Sequence, residues 1–217
     1  MATPKQARFV TVEGSEGAGK STNIQVLNEV LDARNIPYHN TREPGGTSLA
    51  EDLREIVLQP RDEEVDDLTE LLLIFAARRQ HVKNIIQPRL ANGEWVVCDR
   101  FTDASYAYQG AARGLDRGII DTLRDWVQEG LEPDLTLYFD VSPEIGAERI
   151  ANREHDRLER EQYEFFKAVR EGYLDLAREQ PRINIIDASA ELDAVQASVR
   201  TLFERYVDSA LVQGSGS

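Results

Sequence analysis

The chain has 217 residues, which suits one domain that buries about 70% of the surface of its unfolded chain. Its net charge of −14 argues against a protein that coats nucleic acid or an anionic membrane, because both tasks need a basic surface. The single cysteine, Cys98, excludes an internal disulfide and a cysteine-rich metal site. The sequence has no apolar run of the roughly 20 residues that span a bilayer, and residues 1–8 lack an apolar signal core, so we expect a soluble cytoplasmic protein.

The first predicted elements are a strand, a glycine-rich loop and a helix. Residues 9–12 form a short apolar strand, and residues 20–35 carry apolar side chains at helical spacing. Between them, G-S-E-G-A-G-K-S at residues 14–21 matches the phosphate-binding pattern G-x-x-x-x-G-K-[ST] at every fixed position. In that pattern backbone N–H groups and the helix N-terminus face the phosphates, the lysine reaches the β- and γ-phosphates, and the hydroxyl contacts Mg²⁺. The predicted ATP site consists of Gly14, Ser15, Glu16, Gly17, Ala18, Gly19, Lys20, Ser21 and Thr22.

The next stretch combines a short strand, a rigid turn and two helices. After the strand at residues 38–41, the turn R-E-P-G-G-T holds Arg42 at a defined place over a ligand, or is an ordinary loop. Helices are predicted at residues 48–58 and 68–90, on either side of an acidic loop, and Pro88 bends the last turn of the second helix.

The long helix carries a candidate base-binding pair. Phe75 and Arg78 are three residues apart and share a face of the helix. An aromatic ring with a guanidinium beside it forms a slot for a flat heterocycle, in which the ring stacks and the guanidinium donates to a carbonyl. Ordinary packing of the phenylalanine in the core is the alternative.

The strand at residues 95–98 is apolar throughout, as in a strand that is buried on both faces. Asp99 and Arg100 follow it. The carboxylate can hold a metal-bound water, and the guanidinium beside it can bind a phosphate with two parallel hydrogen bonds. The alternative is a strand end that is stabilised by a salt bridge. Asp140, at the end of a later strand, is the second candidate for the metal-holding acid, or it caps a helix. The sequence S-Y-A-Y-Q-G at residues 105–110 suits recognition of a base and a sugar as well as core packing.

The remaining pattern completes an α/β fold. Strands are predicted at residues 135–139 and 183–186, and helices at 116–130, 143–153, 159–179 and 191–209. Strands separated by helical crossovers predict a parallel β-sheet with helices on both faces, here in one domain over residues 1–212 with a flexible Gly/Ser-rich tail at 213–217. Ligands of such sheets bind beyond the carboxyl ends of the strands, where the phosphate loop, Arg42, Asp99 and Asp140 fall.

Four arginines follow the fourth strand at intervals of four, four and three residues: Arg149, Arg153, Arg157 and Arg160. If the segment is helical, they form one stripe. The interleaved acidic residues favour an ion-paired surface helix, and the alternative is a lid over about residues 149–161 whose arginines close over the transferred phosphate. The phosphate loop contains no arginine, so a transition-state cation has to come from elsewhere, and this stripe is its best source.

Together these motifs resemble those of bacterial thymidylate kinases, in the same order along the chain. The phosphate loop, R-E-P-G-G-T at 42–47, F-A-A-R at 75–78, D-R-F at 99–101, Y-Q-G at 108–110 and D-R-L-E at 156–159 carry the resemblance. It implies a P-loop nucleoside monophosphate kinase fold with a mobile lid. It also implies a homodimer that transfers the γ-phosphoryl group of ATP to the 5′-phosphate of dTMP with the help of Mg²⁺, giving dTDP and ADP in the biosynthesis of dTTP.

The resemblance also assigns roles to residues. The implied catalytic cations are Lys20, Arg100, Arg153 and Arg157, and the implied Mg²⁺ ligands are Ser21 and Asp99. The implied dTMP site consists of Glu16, Arg42, Phe75, Arg78, Arg100, Ser105, Tyr108 and Gln109. In it Phe75 stacks on thymine, polar side chains read the base edges, and Tyr108 packs under the deoxyribose. Arg79, one helical turn after Phe75, is an alternative to Arg78.

A phosphate acceptor with a second pKa of about 6 is largely a dianion at neutral pH, so no general base is needed. The obstacle is repulsion between two anions, about 1 kcal/mol per pair of unit charges at roughly 4 Å in water and about 4 kcal/mol in a partly dry site. Three other functions compete with this hypothesis: a kinase for another nucleoside monophosphate, a GTPase-like switch and a non-catalytic nucleotide-binding protein. The switch should carry the motif Asn-Lys-x-Asp, which the sequence lacks.

Overall fold

The computed structural model describes residues 7–151 and 156–213. The strands in this part of the chain are β1 (Phe9–Glu13), β2 (Tyr38–Arg42), β3 (Trp95–Asp99), β4 (Leu135–Asp140) and β5 (Ile183–Asp187). They form one sheet in the order β2-β3-β1-β4-β5, and every neighbouring pair is parallel. Each strand begins where the sequence predicts it and extends one residue further.

The helices of the described residues are α1 (Lys20–Asp32), α2 (Ser48–Leu58), α3 (Asp67–His81), α4 (Gln87–Ala91), α5 (Thr102–Ser105), α6 (Arg117–Gln128), α7 (Pro143–Ile150), α8 (Tyr163–Glu179) and α9 (Leu192–Gln213). Two wider π-helical segments accompany them: π1 (Val82–Ile86) and π2 (Tyr106–Ala112). None of the helices in residues 7–151 and 156–213 is long and apolar enough to cross a membrane.

The sheet is buried on both faces, because alternate side chains of each strand enter different layers. Val10 and Val12 of β1 pack in a core formed with α1 and α9. Phe9, on the opposite face, packs with residues of π1 and edge-on against Phe101, with ring centroids 4.9 Å apart. Each fully buried side chain of this kind contributes about 1.5–3 kcal/mol. The predicted α/β fold, a parallel sheet between helical layers, is confirmed.

The predicted helix at residues 68–90 is present as a continuous helical run of α3, π1 and α4. Pro88, which has no N–H to donate, follows directly after the wider π1 segment. Residues 102–112, for which no helix is predicted from the sequence, form α5 and π2.

The condition for one helical arginine stripe is not met in the described residues. α7 ends at Ile150, residues 152–155 lie outside the described residues, and residues 156–161 form turns before α8. The Asp156 side chain accepts from the Glu159 N–H at 2.9 Å, and the Glu159 side chain accepts from the Asp156 N–H at 3.2 Å. This reciprocal pair stabilises a local turn in place of a continuing helix. The lid boundaries and the flexible tail stay predictions.

Candidate active site

Each strand ends in a polar or charged residue at the same edge of the sheet. Glu13, Arg42 and Asp99 end three neighbouring strands, and Arg42 pairs in register with Asp99. Asp140 ends β4, where its carboxylate accepts two hydrogen bonds from Arg170 at 2.7 and 2.8 Å. This bidentate pair gives Asp140 a structural partner, whereas Oδ1 of Asp99 is buried without a partner among the described residues. Asp99 is therefore the better candidate for the metal-holding acid.

The phosphate loop packs closely against α7. Gly14 and Gly17 have φ angles of +143° and +76°, which residues with a side chain rarely adopt. A Cβ atom at Gly17 would lie 2.8 Å from the Cα atom of Gly146 in α7. Lys20 begins α1, and its Nζ donates to the carbonyl oxygens of Gly14 and Ser15 at 3.0 and 3.1 Å. The lysine is thus folded into the loop, where burial lowers its pKa.

A polar cavity opens over this loop. The residues of the predicted ATP site that line this cavity are Glu16, Gly17, Gly19, Lys20, Ser21 and Thr22. The Ala18 side chain instead lies in the core with α1 and α9. Three guanidinium groups, those of Arg42, Arg54 and Arg100, add positive charge to the cavity wall. Five carboxylates line it as well, those of Glu16, Glu43, Asp99, Asp156 and Glu159, so the cavity suits a phosphate ligand that is bound together with a metal cation.

Two residues of this cavity fit a magnesium ion. Ser21 and Asp99 both line it, and the unpaired Oδ1 of Asp99 is the kind of oxygen ligand that Mg²⁺ prefers. No group of three or more His, Cys, Asp or Glu residues in the described part of the chain could hold a metal alone. A metal bound here would complete its coordination with water and with oxygens of a phosphate ligand.

Arg100 lies beside the cavity in an unusual backbone conformation. Its φ of +69° is left-handed, which a residue other than glycine keeps only where its surroundings hold it. Its Nη2 forms an ion pair with Glu16, and its guanidinium lies 5.0 Å from the centre of the Tyr108 ring. The Tyr108 hydroxyl donates to Glu16 Oε2 at 2.9 Å. Burial alone would raise the pKa of Glu16, but Arg100 and Lys20 together with this hydrogen bond lower it below its ordinary value.

A second cavity, mostly apolar, adjoins the first; we call it the base slot. Glu16, Arg54 and Arg100 line both. The apolar wall of the base slot consists of Pro44, Val57, Leu58, Ile74, Phe101, Ala104 and Leu158. The polar side chains that reach it include Arg78, Ser105, Tyr108 and Gln109. Apolar walls with a few fixed polar groups are typical of sites for small organic ligands.

The position of Phe75 corrects one prediction. This residue does not line the base slot, because its ring is buried with Leu71 and Ile120, 4.5 Å from the Arg78 guanidinium. Ile74 lines the slot in its place, together with Phe101. At about 100° per residue, positions 74 and 78 differ by roughly 40° around the helix and positions 75 and 78 by roughly 60°, so the isoleucine lies closer to the arginine's direction. Core packing, the alternative considered for Phe75, is what the structure shows.

Arg78 is the buried cation of the base slot. Only 1% of it is exposed; Nε donates to Glu43 Oε2 at 2.6 Å, and Nη2 donates to the Ser105 hydroxyl at 3.1 Å. His81 bonds the other oxygen of Glu43 at 2.9 Å. Nη1 of Arg78 is buried without a partner among the described residues. Arg79 donates instead to a backbone carbonyl and a carboxylate on the far side of α3, so it does not reach the slot.

Gln109 is also almost fully buried, with 2% exposed. Its Nε2 donates to Oε1 of Glu70 at 2.7 Å. Together the two cavities place phosphate-binding and base-binding groups side by side, which is the arrangement that transfer between two nucleotides requires.

Comparison with known proteins agrees with this geometry. Residues 12–199 match the family model for thymidylate kinase. The chain is 53% identical over 206 residues to a thymidylate kinase of Methylococcus capsulatus, covering 94% of this chain and 96% of that one. It is 54% identical over 196 residues to one from Chromohalobacter salexigens, covering 88% of this chain and 92% of the relative. The chain belongs to the thymidylate kinase family.

In this member of the thymidylate kinase family, Arg157 of the predicted lid segment is bonded to residues next to the base slot. The Arg157 N–H donates to the carbonyl of Leu58 at 3.0 Å, and its Nε donates to the carbonyl of Val57 at 2.8 Å. Its guanidinium also forms an ion pair with Glu70. These partners of Arg157 belong to α2 and α3, and Arg153 lies outside the described residues.

One residue of this thymidylate kinase site was missed in the sequence analysis. Arg54 lines both cavities, and its Nη1 donates to the carbonyl of Pro44 at 3.0 Å. Burial, followed by the charges of Arg42 and Arg100, lowers its pKa. A signal was present, because Arg54 is the only cation on the helix that follows the R-E-P-G-G-T turn.

Proposed function

We propose that the protein transfers the γ-phosphoryl group of ATP to the 5′-phosphate of dTMP, giving dTDP and ADP for the synthesis of dTTP. The supporting observation is the pair of adjoining cavities that share Arg100, Glu16 and Arg54. ATP occupies the polar cavity with its phosphates on the loop. The base of dTMP occupies the slot, so the acceptor phosphate meets the donor at Arg100.

Catalysis rests on positive charge and position. Lys20 neutralises the donor phosphates, and Arg42, Arg54 and Arg100 neutralise the acceptor phosphate. Ser21 and Asp99 would hold Mg²⁺, which would supply further positive charge to the donor phosphates. No general base is assigned, because the acceptor already carries the attacking oxygen in ionised form.

Base selection follows from the buried polar groups of the slot. Nη1 of Arg78 donates to the 4-carbonyl of thymine, and Gln109 meets the adjacent ring nitrogen. Tyr108, whose hydroxyl is bonded to Glu16, packs under the deoxyribose and crowds a 2′-hydroxyl. Phe101 and Ile74 supply the apolar walls.

The lid is proposed to complete the site over about residues 149–161. Arg153 is assigned to the transition-state charge by its place in the sequence. Arg157 would reach the phosphates only after leaving Glu70 and Val57. An arginine that completes such a site contributes about 10³–10⁵ in rate.

We propose that the protein works as a cytoplasmic homodimer. Leu68 and Leu72 of α3 and Ile119 of α6 line one shallow apolar depression. Light scattering should report a dimer for the wild type and a monomer for Leu72→Lys. Val212→Lys is the matched control, since Val212 is 74% exposed on α9. A wild-type monomer would contradict the proposal.

The function is tested by ADP formation from ATP and Mg²⁺ with dTMP, dUMP, UMP and dCMP in parallel. We expect dTMP to be the best acceptor, and Lys20→Ala to be nearly inactive with each of them. ADP formation that is fastest with UMP or dCMP would indicate another monophosphate kinase. ATP binding with no ADP formed on addition of dTMP would indicate a non-catalytic nucleotide-binding protein.

A further inference from the structure

Glu70 is a buried carboxylate whose two oxygens have different partners. It lies on α3 with 1% exposed, and Oε1 accepts from Nε2 of Gln109 at 2.7 Å. Oε2 forms an ion pair with Arg157 and lies 3.6 Å from Nη2 of Arg113. Both oxygens are therefore engaged, one by the base slot and one by the lid side of the site.

This arrangement fixes the amide of Gln109. A glutamine amide has a donor end and an acceptor end of nearly the same shape, so only its partners decide which end points where. A carboxylate can only accept, so the NH₂ end of Gln109 has to face Glu70. The carbonyl end is then left for the base slot, which Gln109 lines.

The carbonyl end is selective among pyrimidines. Thymine and uracil carry a hydrogen on N3, which a carbonyl oxygen accepts, whereas N3 of cytosine carries a lone pair. Beside it, Nη1 of Arg78 offers a donor to the 4-carbonyl, which cytosine replaces with an amino group. The acceptor and the donor together match the edge of thymine or uracil.

The ion pairs hold the carboxylate in place. The same Nη2 of Arg113 that lies 3.6 Å from Glu70 also pairs with Glu161 at 2.6 Å, and the Arg113 guanidinium lies 4.7 Å from the centre of the Phe165 ring. Arg113 therefore still holds Glu70 Oε2 when Arg157 leaves it, and Oε1 stays directed at Gln109. We infer that Glu70 is a specificity-determining positioning residue, which holds the Gln109 amide in the orientation that selects a pyrimidine with a hydrogen on N3.

This inference rests on the proposed function, and Glu70→Gln tests it. The new amide has one acceptor oxygen, and the charged donors of Arg157 and Arg113 take it in preference to a neutral amide. Its NH₂ group then faces Gln109, whose amide turns over and presents NH₂ to the base. We expect kcat/KM for dTMP and for dUMP to fall about 10- to 100-fold, while kcat/KM for dCMP stays level or rises.

Asp67→Asn is the matched control. Asp67 lies one helical turn before Glu70 and contacts the same Arg113 at 3.4 Å, but it does not bond Gln109. We expect it to leave the ratio of dTMP to dCMP activity unchanged. In the Gln109→Met background, Glu70→Gln should add no further change to that ratio.

A second variant distinguishes a loss of specificity from a general loss of folded protein. Glu70→Asp keeps the charge for the two arginines but is one methylene shorter, so it releases Gln109 and should lower the dTMP to dCMP ratio about tenfold. Equal losses for dTMP, dUMP and dCMP in both Glu70 variants would overturn the inference and leave the proposed function intact. Failure of the wild type to phosphorylate dTMP would instead overturn the proposed function.

Discussion

Gly17→Ala is the substitution whose effect follows most directly from the backbone. The φ of +76° at this position costs an alanine about 1–2 kcal/mol. The new Cβ would also lie 2.8 Å from the Cα of Gly146, where carbon atoms normally approach to about 3.5 Å, so the loop or α7 has to move by roughly 0.7 Å. A displacement of about 1 Å in a catalytic site can lower the rate about 100-fold.

Gly114→Ala is the control that separates the cost of a positive φ from the cost of moving the phosphate loop. Gly114 has almost the same φ, +77°, but a Cβ there meets nothing within 4 Å. Urea unfolding should show a loss of about 1–2 kcal/mol in Gly114→Ala and a larger loss in Gly17→Ala. Initial-rate assays should show kcat/KM for ATP falling about 100-fold in Gly17→Ala alone. Equal effects of the two substitutions on stability and on ATP use would refute the reasoning.

Three further predictions concern ionisable residues in or beside the candidate site. Burial, and then Asp103, raise the pKa of Glu13 from 4.5 to about 8, so the folded protein keeps a proton that the unfolded chain releases. The free energy of unfolding should therefore fall by up to about 4 kcal/mol as the pH rises from 4.5 to 8, and Glu13→Gln should flatten this slope in urea titrations. Asp99→Asn should raise the Mg²⁺ concentration needed for half-maximal rate by about tenfold, and an unchanged Mg²⁺ titration would remove Asp99 from the metal site. Arg54→Ala should raise KM for dTMP more than KM for ATP, by roughly 10-fold, and equal changes would remove it from the acceptor side.

The strands and the phosphate loop could be predicted because their signals are local. The short, mainly apolar runs at residues 9–12, 95–98, 135–139 and 183–186 are strands, and each of these strands gains one polar residue, such as Glu13 or Asp99. For Glu13 and Asp99, backbone pairing with a neighbouring strand continues past the apolar run. The loop is specified by glycines and a lysine at fixed spacing. These features need no knowledge of distant contacts.

Other features depend on contacts that sequence spacing does not contain. Whether Ile74 or Phe75 lines the base slot depends on how α3 is rotated about its own axis, and a rotation of a few tens of degrees is enough to decide it. Helical spacing of arginines suggested one stripe, but Arg157 is held in a turn by its bonds to α2 and Glu70. The position of Arg54 on α2 is visible in the sequence, but its place in both cavities depends on how α2 packs against the turn that precedes it.

Glu43 joins two parts of the acceptor site that recognise different ends of a nucleotide. It follows Arg42, whose guanidinium lines the polar cavity, and it bonds Arg78 in the base slot through a carboxylate that His81 also holds. In the proposed dTMP site, Glu43 therefore ties the residue expected at the base to the residue expected at the acceptor phosphate. A nucleoside without a phosphate would leave Arg42 without that ligand, so a monophosphate should be the better acceptor.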